Sequence, residues 1–260
     1  MTPRRRYAVA AVLAALVASL LAAGPAEAAG SAVVTTREVI GTSVQGRPIV
    51  AVHRSRPSAT VPDGTEPAAA ESRTVLVIGS VHGDEPAGMR VFQRLRDRDH
   101  LPAGLDLWLV RTVNPDGAAA HRRTNAHGVD LNRNFPYKWR SSARGATWSG
   151  NQPLSEPESV VLRDLVRRLK PDLTVTFHQP LFGVGANDKG MPTVRALARG
   201  MRLPVDVFHC TGVCNGTFTG WVNHRTDGLA VTVEFGRRVP TWRVSRAAAT
   251  VVTVGSQLTL

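Results

Sequence analysis

The sequence predicts an α/β domain built on a largely parallel central sheet. Two observations carry this reading. Short apolar runs alternate with segments whose apolar residues recur at helical spacing, as chained strand–helix units do. Three chemistry-bearing residues, His82, His178 and Glu234, stand at or just past the ends of such runs, where open α/β sheets form their sites.

Residues 38–52 alternate polar and apolar positions around "GTSVQGRP", which predicts a β-hairpin. Residues 56–72 are rich in Pro, Ala and Glu and predict a surface loop. Val75-Leu76-Val77-Ile78 forms the centre of a buried strand over 74–79, and Met89, Val91, Phe92 and Leu95 place a helix over 85–98. A strand over 105–113 follows, ending in the turn "NPDG". Ser155-Glu156-Pro157-Glu158 resembles a capping box and opens a helix to about Lys170. Strands are then predicted over 173–177 and 229–235, and helices over 191–201 and 242–258. No internal repeat or second domain interrupts the pattern.

The chain has 260 residues, enough for one large core, and its 43% hydrophobic and 20% charged content is that of a folded soluble protein. The N-terminus differs. Arg4-Arg5-Arg6 precede an almost unbroken apolar run from Ala8 to Ala23, which ends in an Ala-x-Ala pattern. This predicts a secretory signal peptide over 1–28, with the mature domain over 29–260. The arginines followed by Tyr7 suggest a twin-arginine signal, although the ordinary secretory route fits as well. The run is short for a membrane span, so no stable membrane anchor is expected after cleavage, and the localisation predicted is secreted or cell-wall associated.

Formal charge is 32 − 20 = +12, and removal of residues 1–28, with three Arg and one Glu, leaves 29 − 19 = +10. The excess reads as an arginine-rich solvated surface; an anionic polymer or acidic peptide is the alternative partner. No nucleic-acid motif is present, so nucleic acid is not an expected partner. Cys210 and Cys214 are the only cysteines, and in an exported chain they read as a local disulfide. With His209 they also resemble a metal set, but a closed zinc site needs a fourth ligand.

"SVHGDEPAG" places His82 and Glu85 three residues apart where a loop enters a helix, so both can face one point. Gly83 removes side-chain bulk between them. His178 can add a third ligand from another strand, completing a two-histidine, one-carboxylate zinc set with an open position. Singly, each residue has a plainer reading: Glu85 near a helix N-terminus, the histidines as hydrogen-bonded core residues. The segment "NPDGAAAHRRTNAHGVDLNRNFP", Asn114 to Pro136, then gathers arginines and asparagines suited to an anionic substrate end and a developing oxyanion.

Together "HGDE", "NPDG", "RTNAHGVDLNRNFP", "FHQP" and "NGTFTGWVNHRTDGLAVTVEFG", in this order, resemble the zinc carboxypeptidase family of the carboxypeptidase A type, and most of all its bacterial murein peptide amidase branch. The resemblance implies a three-layer α/β/α sandwich around a mixed sheet and one Zn2+ per chain. It implies His82, Glu85 and His178 as metal ligands, and Glu234 as the general base that takes a proton from the attacking water and passes it to the leaving amine. Arg123, with Arg122 as fallback, is implied as the oxyanion arginine. Asn132 and Arg133 are implied to grip a terminal carboxylate, and Asp130 to orient the first zinc histidine. The implied activity is hydrolysis of a C-terminal amide by a zinc-activated water, on a peptide with a free terminal carboxylate. The bond implied is the γ-D-glutamyl–diaminopimelate bond of murein peptides.

One departure stands out. The animal digestive members carry a mobile tyrosine about twenty residues before the base, whereas this chain has only Tyr7 and Tyr137 and none in "CTGVCNGTFTG". Thr217, Thr219 and Trp221 are expected near the specificity pocket, Trp221 equally as core packing. The competing readings are a general metallocarboxypeptidase, a deacylase of the aspartoacylase or succinylglutamate type, and an inactive wall-binding module. The deacylases share "HxxE" and a form of "DLNR" but generally lack "NPDG" and "GVDLNRNFP". Retention of all three ligands with Glu234 argues against the inactive module.

Overall fold

The computed structural model describes residues 32–56, 72–208 and 214–258. The signal peptide expected over 1–28, nearly all of the loop expected over 56–72, and Cys210 lie outside them.

The predicted hairpin is present as β1 (Val34–Thr42) and β2 (Pro48–Ser55), antiparallel and longer than 38–52 at both ends. Most of β1 is exposed, so its early residues carry no apolar alternation to read. Next come β3 (Arg73–Ile78), β4 (Leu105–Val110), β5 (Leu173–His178) and β8 (Leu229–Glu234). These four form the parallel centre of an eight-stranded sheet of order β1-β2-β4-β3-β5-β8-β6-β7. β6 (Gly183–Gly185) pairs antiparallel with β8 and parallel with β7 (Val205–Asp206). At 3 and 2 residues, neither is long enough to show a period.

Alternation along the central strands feeds two cores. Val75 and Val77 pack with α1 (Ala87–Arg96), α4 (Met191–Met201) and α6 (Thr241–Ser256) through Phe92, Leu197 and Val251. Leu76 and Ile78 face the other way, onto α3 (Pro157–Leu169) and α5 (Phe218–Arg225) through Leu162 and Trp221. Each such apolar side chain, fully buried, contributes roughly 1.5–3 kcal/mol. The result is the three-layer sandwich with a mixed, largely parallel sheet.

Several boundaries differ from the predicted ones. α1 starts after Pro86, and Glu85 stays in the turn before it, its N–H donating to the His82 carbonyl at 3.2 Å. "NPDG" is the start of α2 (Pro115–Ala120) rather than a turn closing a strand. Asn114 Oδ1 accepts from Gly117 N at 2.8 Å, with Pro115 at the first helical position. The capping box at Ser155 does not form. Pro157 prefers the first helical position and starts α3 one residue later, so Ser155 Oγ donates to Glu156 Oε1 at 2.7 Å. α4 matches its predicted span, α6 starts one residue before its predicted start and ends two residues before its predicted end, and α5 was not predicted.

Candidate metal centre and substrate cavity

The register of β5 against β8 sets His178 beside Glu234 at the carboxyl end of the sheet. The chain leaving β3 brings His82 and Glu85 to the same edge. Gly83 has a different role from the one its sequence position suggests. A Cβ there would lie 1.9 Å from the carbonyl carbon of Gly117, so its bareness lets the ligand turn press on α2 rather than clear space between the ligands.

His82, Glu85 and His178 are buried, and one donor atom from each lies within 4.8 Å of the others. His82 Nδ1 is 2.9 Å from Glu85 Oε1 and 3.2 Å from His178 Nδ1, which is 3.0 Å from Glu85 Oε2. Two imidazole nitrogens so close cannot both present lone pairs to each other without a cation between them. The spacing suits zinc, whose bonds of about 2.0–2.1 Å at a tetrahedral angle set nitrogens about 3.3 Å apart. Among the described residues this is the one cluster of three such ligands.

The surroundings favour positive charge. Burial opposes a charged His82, yet Asp130 and Glu85 hold its pKa up at about 9. Burial likewise disfavours the Glu85 carboxylate, but His82 and His178 keep its pKa well below the ordinary range. Asp130, fully buried, accepts from His82 Nε2 at 3.0 Å and so fixes the imidazole from behind. Its second oxygen takes both Arg123 Nε at 3.2 Å and Nη2 at 3.0 Å, two charge-assisted bonds converging on one atom, and Arg123 Nη1 reaches Glu85 Oε1 at 3.1 Å. Arg123 thus reaches the ligand cluster, whereas Arg122 is exposed and does not line the cavity.

A cavity of about 730 Å³ opens over these groups and is lined also by Asn132, Arg133 and Glu234. Asn132 Oδ1 accepts from Phe218 N at 3.0 Å, which leaves its NH2 for the cavity and ties the loop to α5. Arg133 sits beside it, donating to the Asn132 carbonyl at 2.7 Å. Glu234 is 9% exposed and accepts from Leu181 N at 3.3 Å; burial first, and Glu85 next, push its pKa up.

Thr217 and Thr219 line this cavity, but Trp221 does not. Trp221 packs into the core at 5.7 Å from Phe135 and 6.2 Å from Phe218 between ring centroids. Cys214 lines the cavity, and its expected partner Cys210 lies outside the described residues. Tyr137 stacks on His224 at 3.9 Å and is not itself in the lining.

Two features escaped the reading of the sequence. Gln179 Oε1 accepts from Ala87 N at 3.0 Å and its Nε2 donates to the Gly236 carbonyl at 3.1 Å, bridging the start of α1 after Glu85 and the segment after Glu234. α5 brings the pocket wall into place, and its signal was legible: Thr217 as N-cap before Phe218, Trp221 and Val222 at helical spacing.

His82, Glu85 and His178 make a two-histidine, one-carboxylate donor set lining the cavity, the kind of set that zinc takes. A model of the zinc carboxypeptidase family matches residues 28–180, and the chain belongs to that family. Glu234 lies beyond the matched segment. Murein peptide amidase A of Escherichia coli (strain K12) is 39% identical over 129 residues, 44% of this chain and 53% of that protein. The same-named protein of Vibrio campbellii (strain ATCC BAA-1116) is 32% identical over 177 residues, covering 61% and 68%. The chain spans about half the length of the E. coli relative. Among solved structures, the murein-tripeptide amidase of E. coli O157 superposes with a TM-score of 0.65 at 25% identity, over 86% of this chain and 93% of that one. Carboxypeptidase A from Helicoverpa armigera, at 18% identity and TM-score 0.69 over 86% and 68%, shares the fold.

Proposed function

We propose that this protein is an exported zinc-dependent amidase that removes the C-terminal diaminopimelate from murein peptides by cleaving its γ-D-glutamyl bond. Residues 1–28 act as the signal peptide and 29–260 as the catalytic domain, with Cys210 and Cys214 as a disulfide bracing the pocket loop. What carries the catalytic part is one meeting in a single cavity: a His/Glu/His cation site, a buried carboxylate and two arginines. The relatives' name supports the murein part.

His82, Glu85 and His178 hold the ion, with Asp130 fixing the His82 ring. Zinc bound there supplies a Lewis acid that lowers the pKa of water toward about 7. Arg133 grips the substrate's terminal carboxylate in a fork, and the Asn132 amide adds a donor, so the scissile carbonyl lies over the ligand cluster. Glu234 takes the proton of the attacking water as its oxygen bonds to the carbonyl carbon. Its raised pKa makes it the stronger base. Arg123 donates to the oxygen as negative charge builds there. Glu234 then returns the proton to the amide nitrogen, the C–N bond breaks, and diaminopimelate leaves as a free amine.

The test is a mass-spectrometric assay of wild type and Glu234→Ala on L-Ala-γ-D-Glu-diaminopimelate beside ordinary peptides ending in Lys, Arg or Leu. Cleavage of the tripeptide by wild type alone is expected. Cleavage of the ordinary peptides but not the tripeptide would replace this reading with a general metallocarboxypeptidase.

A further inference from the structure

The part of the cavity wall made by residues 185–189 and the start of α5 carries no ligand or base, yet it is built with care. Asn187 Oδ1 accepts from Lys189 N at 3.0 Å, and its Nδ2 donates to the Ala230 carbonyl on β8 at 3.1 Å. Lys189 Nζ donates to the carbonyls of Thr226 and Gly228, both at 2.8 Å. The segment is therefore pinned, and its one lysine is spent on backbone oxygens.

Between these two anchors stands Asp188. It is the single carboxylate in the cavity lining besides Glu85 and Glu234 among the described residues. No hydrogen bond or ion pair to its carboxylate occurs among them either. A carboxylate that lines a binding cavity, while the ammonium of the adjacent Lys189 is held by backbone carbonyls, is complementary to a cation on the ligand. The same wall also supplies neutral donors. Thr217 Oγ1 accepts from Gly220 N at 3.2 Å and Thr219 Oγ1 from Thr232 Oγ1 at 3.3 Å, which leaves each hydroxyl proton free to donate. An apolar side chain entering here would strip water from Asp188 and both hydroxyls without replacing it.

We infer that Asp188 reads the distal ammonium of the substrate's terminal residue, while Thr217 and Thr219 donate to the carboxylate on the same carbon. The chemistry that satisfies this wall is the zwitterionic end of a diamino dicarboxylic acid. The inference rests on reading the cavity as the pocket for the departing residue, as proposed above. It adds the residue that distinguishes a second amino group from its absence.

Calorimetry on the full zinc-loaded protein tests it without any turnover. The probes are free meso-diaminopimelate and 2-aminopimelate, which has the same chain without the second amino group. Wild type is expected to bind diaminopimelate about tenfold more tightly, the scale of one solvent-accessible charged hydrogen bond. Asp188→Asn is expected to erase that gap while leaving 2-aminopimelate affinity within about twofold. Equal binding by wild type, no measurable binding of either probe, or a gap that survives in Asp188→Asn would each overturn the inference. A separate assay on the murein tripeptide keeps the two readings apart. Discrimination between the probes without tripeptide hydrolysis would sink the proposed reaction and leave the role of Asp188 standing.

Discussion

The wall of the cavity that holds His82, Glu85, His178 and Glu234 is buried and charged, whereas the wall that holds Asp188, Thr217 and Thr219 is more open and mostly neutral. On the first, charged side chains answer one another, except at Glu234, whose carboxylate takes the Leu181 N–H. Asp130 alone joins His82 and Arg123, and Arg123 runs on to Glu85. On the second, side chains bind backbone: Lys189 to the carbonyls of Thr226 and Gly228, Asn187 to that of Ala230. The difference fits the tasks proposed for the two walls. Reacting groups must be desolvated and held against their own repulsions, which takes a network of paired charges. A recognition wall needs only shape and a few donors left free for the ligand.

Substitutions break the two walls differently. The largest effect is expected for Glu234→Gln, which keeps shape but removes the proposed base. Turnover should fall about 10²–10⁴-fold with zinc content unchanged, read by steady-state kinetics and metal analysis. Loss of zinc together with activity would show that Glu234 holds the site together instead. Next, Arg123→Ala should lower kcat about 10²–10³-fold, the cost of one oxyanion donor, with little change in KM. A change confined to KM would assign Arg123 to substrate binding.

The third substitution tests the backing of the charged wall. Asp116, buried, accepts from Ser43 Oγ at 2.8 Å, Gln45 N at 3.0 Å and Arg47 Nη1 at 2.7 Å, tying the hairpin turn to the α2 helix on which Gly83 packs. Burial would raise its pKa, but these donors lower it overall. A depressed folded-state pKa contributes stability above the unfolded value of about 4, and the contribution is lost as pH falls through the lower folded value. Asp116→Asn should therefore cost about 2 kcal/mol at pH 7, and the gap to wild type should narrow below about pH 4. Melting temperatures taken across that range decide it; a gap constant down to the acid end would mean the charge contributes nothing.

The smallest effect is expected on the neutral wall. Thr217→Ala removes the N-cap of α5 and should cost about 1 kcal/mol of stability, with zinc content intact. If it also strips the metal, the two walls are not separate.

The same contrast explains what could be read from the sequence. The charged wall was legible because its chemistry requires rare residue types at strand ends, and "HGDE", "GVDLNRNFP", "FHQP" and "VTVEFG" carry them in order. Arg123 over Arg122 was decided only by three dimensions, since both stand in "HRRT". The other wall was legible only in part: Thr217 and Thr219 were expected near the pocket and line it, whereas Asn187 and Asp188 after a short β6 look like any solvated loop until β8 and α5 pack beside them. Asp188 gave no signal, and Trp221 proved to be core. Local boundaries failed where proline overrode the pattern: Pro86 held Glu85 out of α1, and Pro157 displaced the cap from Ser155.

If His82, Glu85 and His178 form one zinc site, the charged wall exists to serve it. Metal analysis of purified wild type beside His178→Ala tests it most directly. We expect one zinc per wild-type chain, and loss of both zinc and hydrolysis in the variant. Wild type that carries no zinc, and stays inactive on the tripeptide and ordinary peptides after zinc is added, would contradict the account.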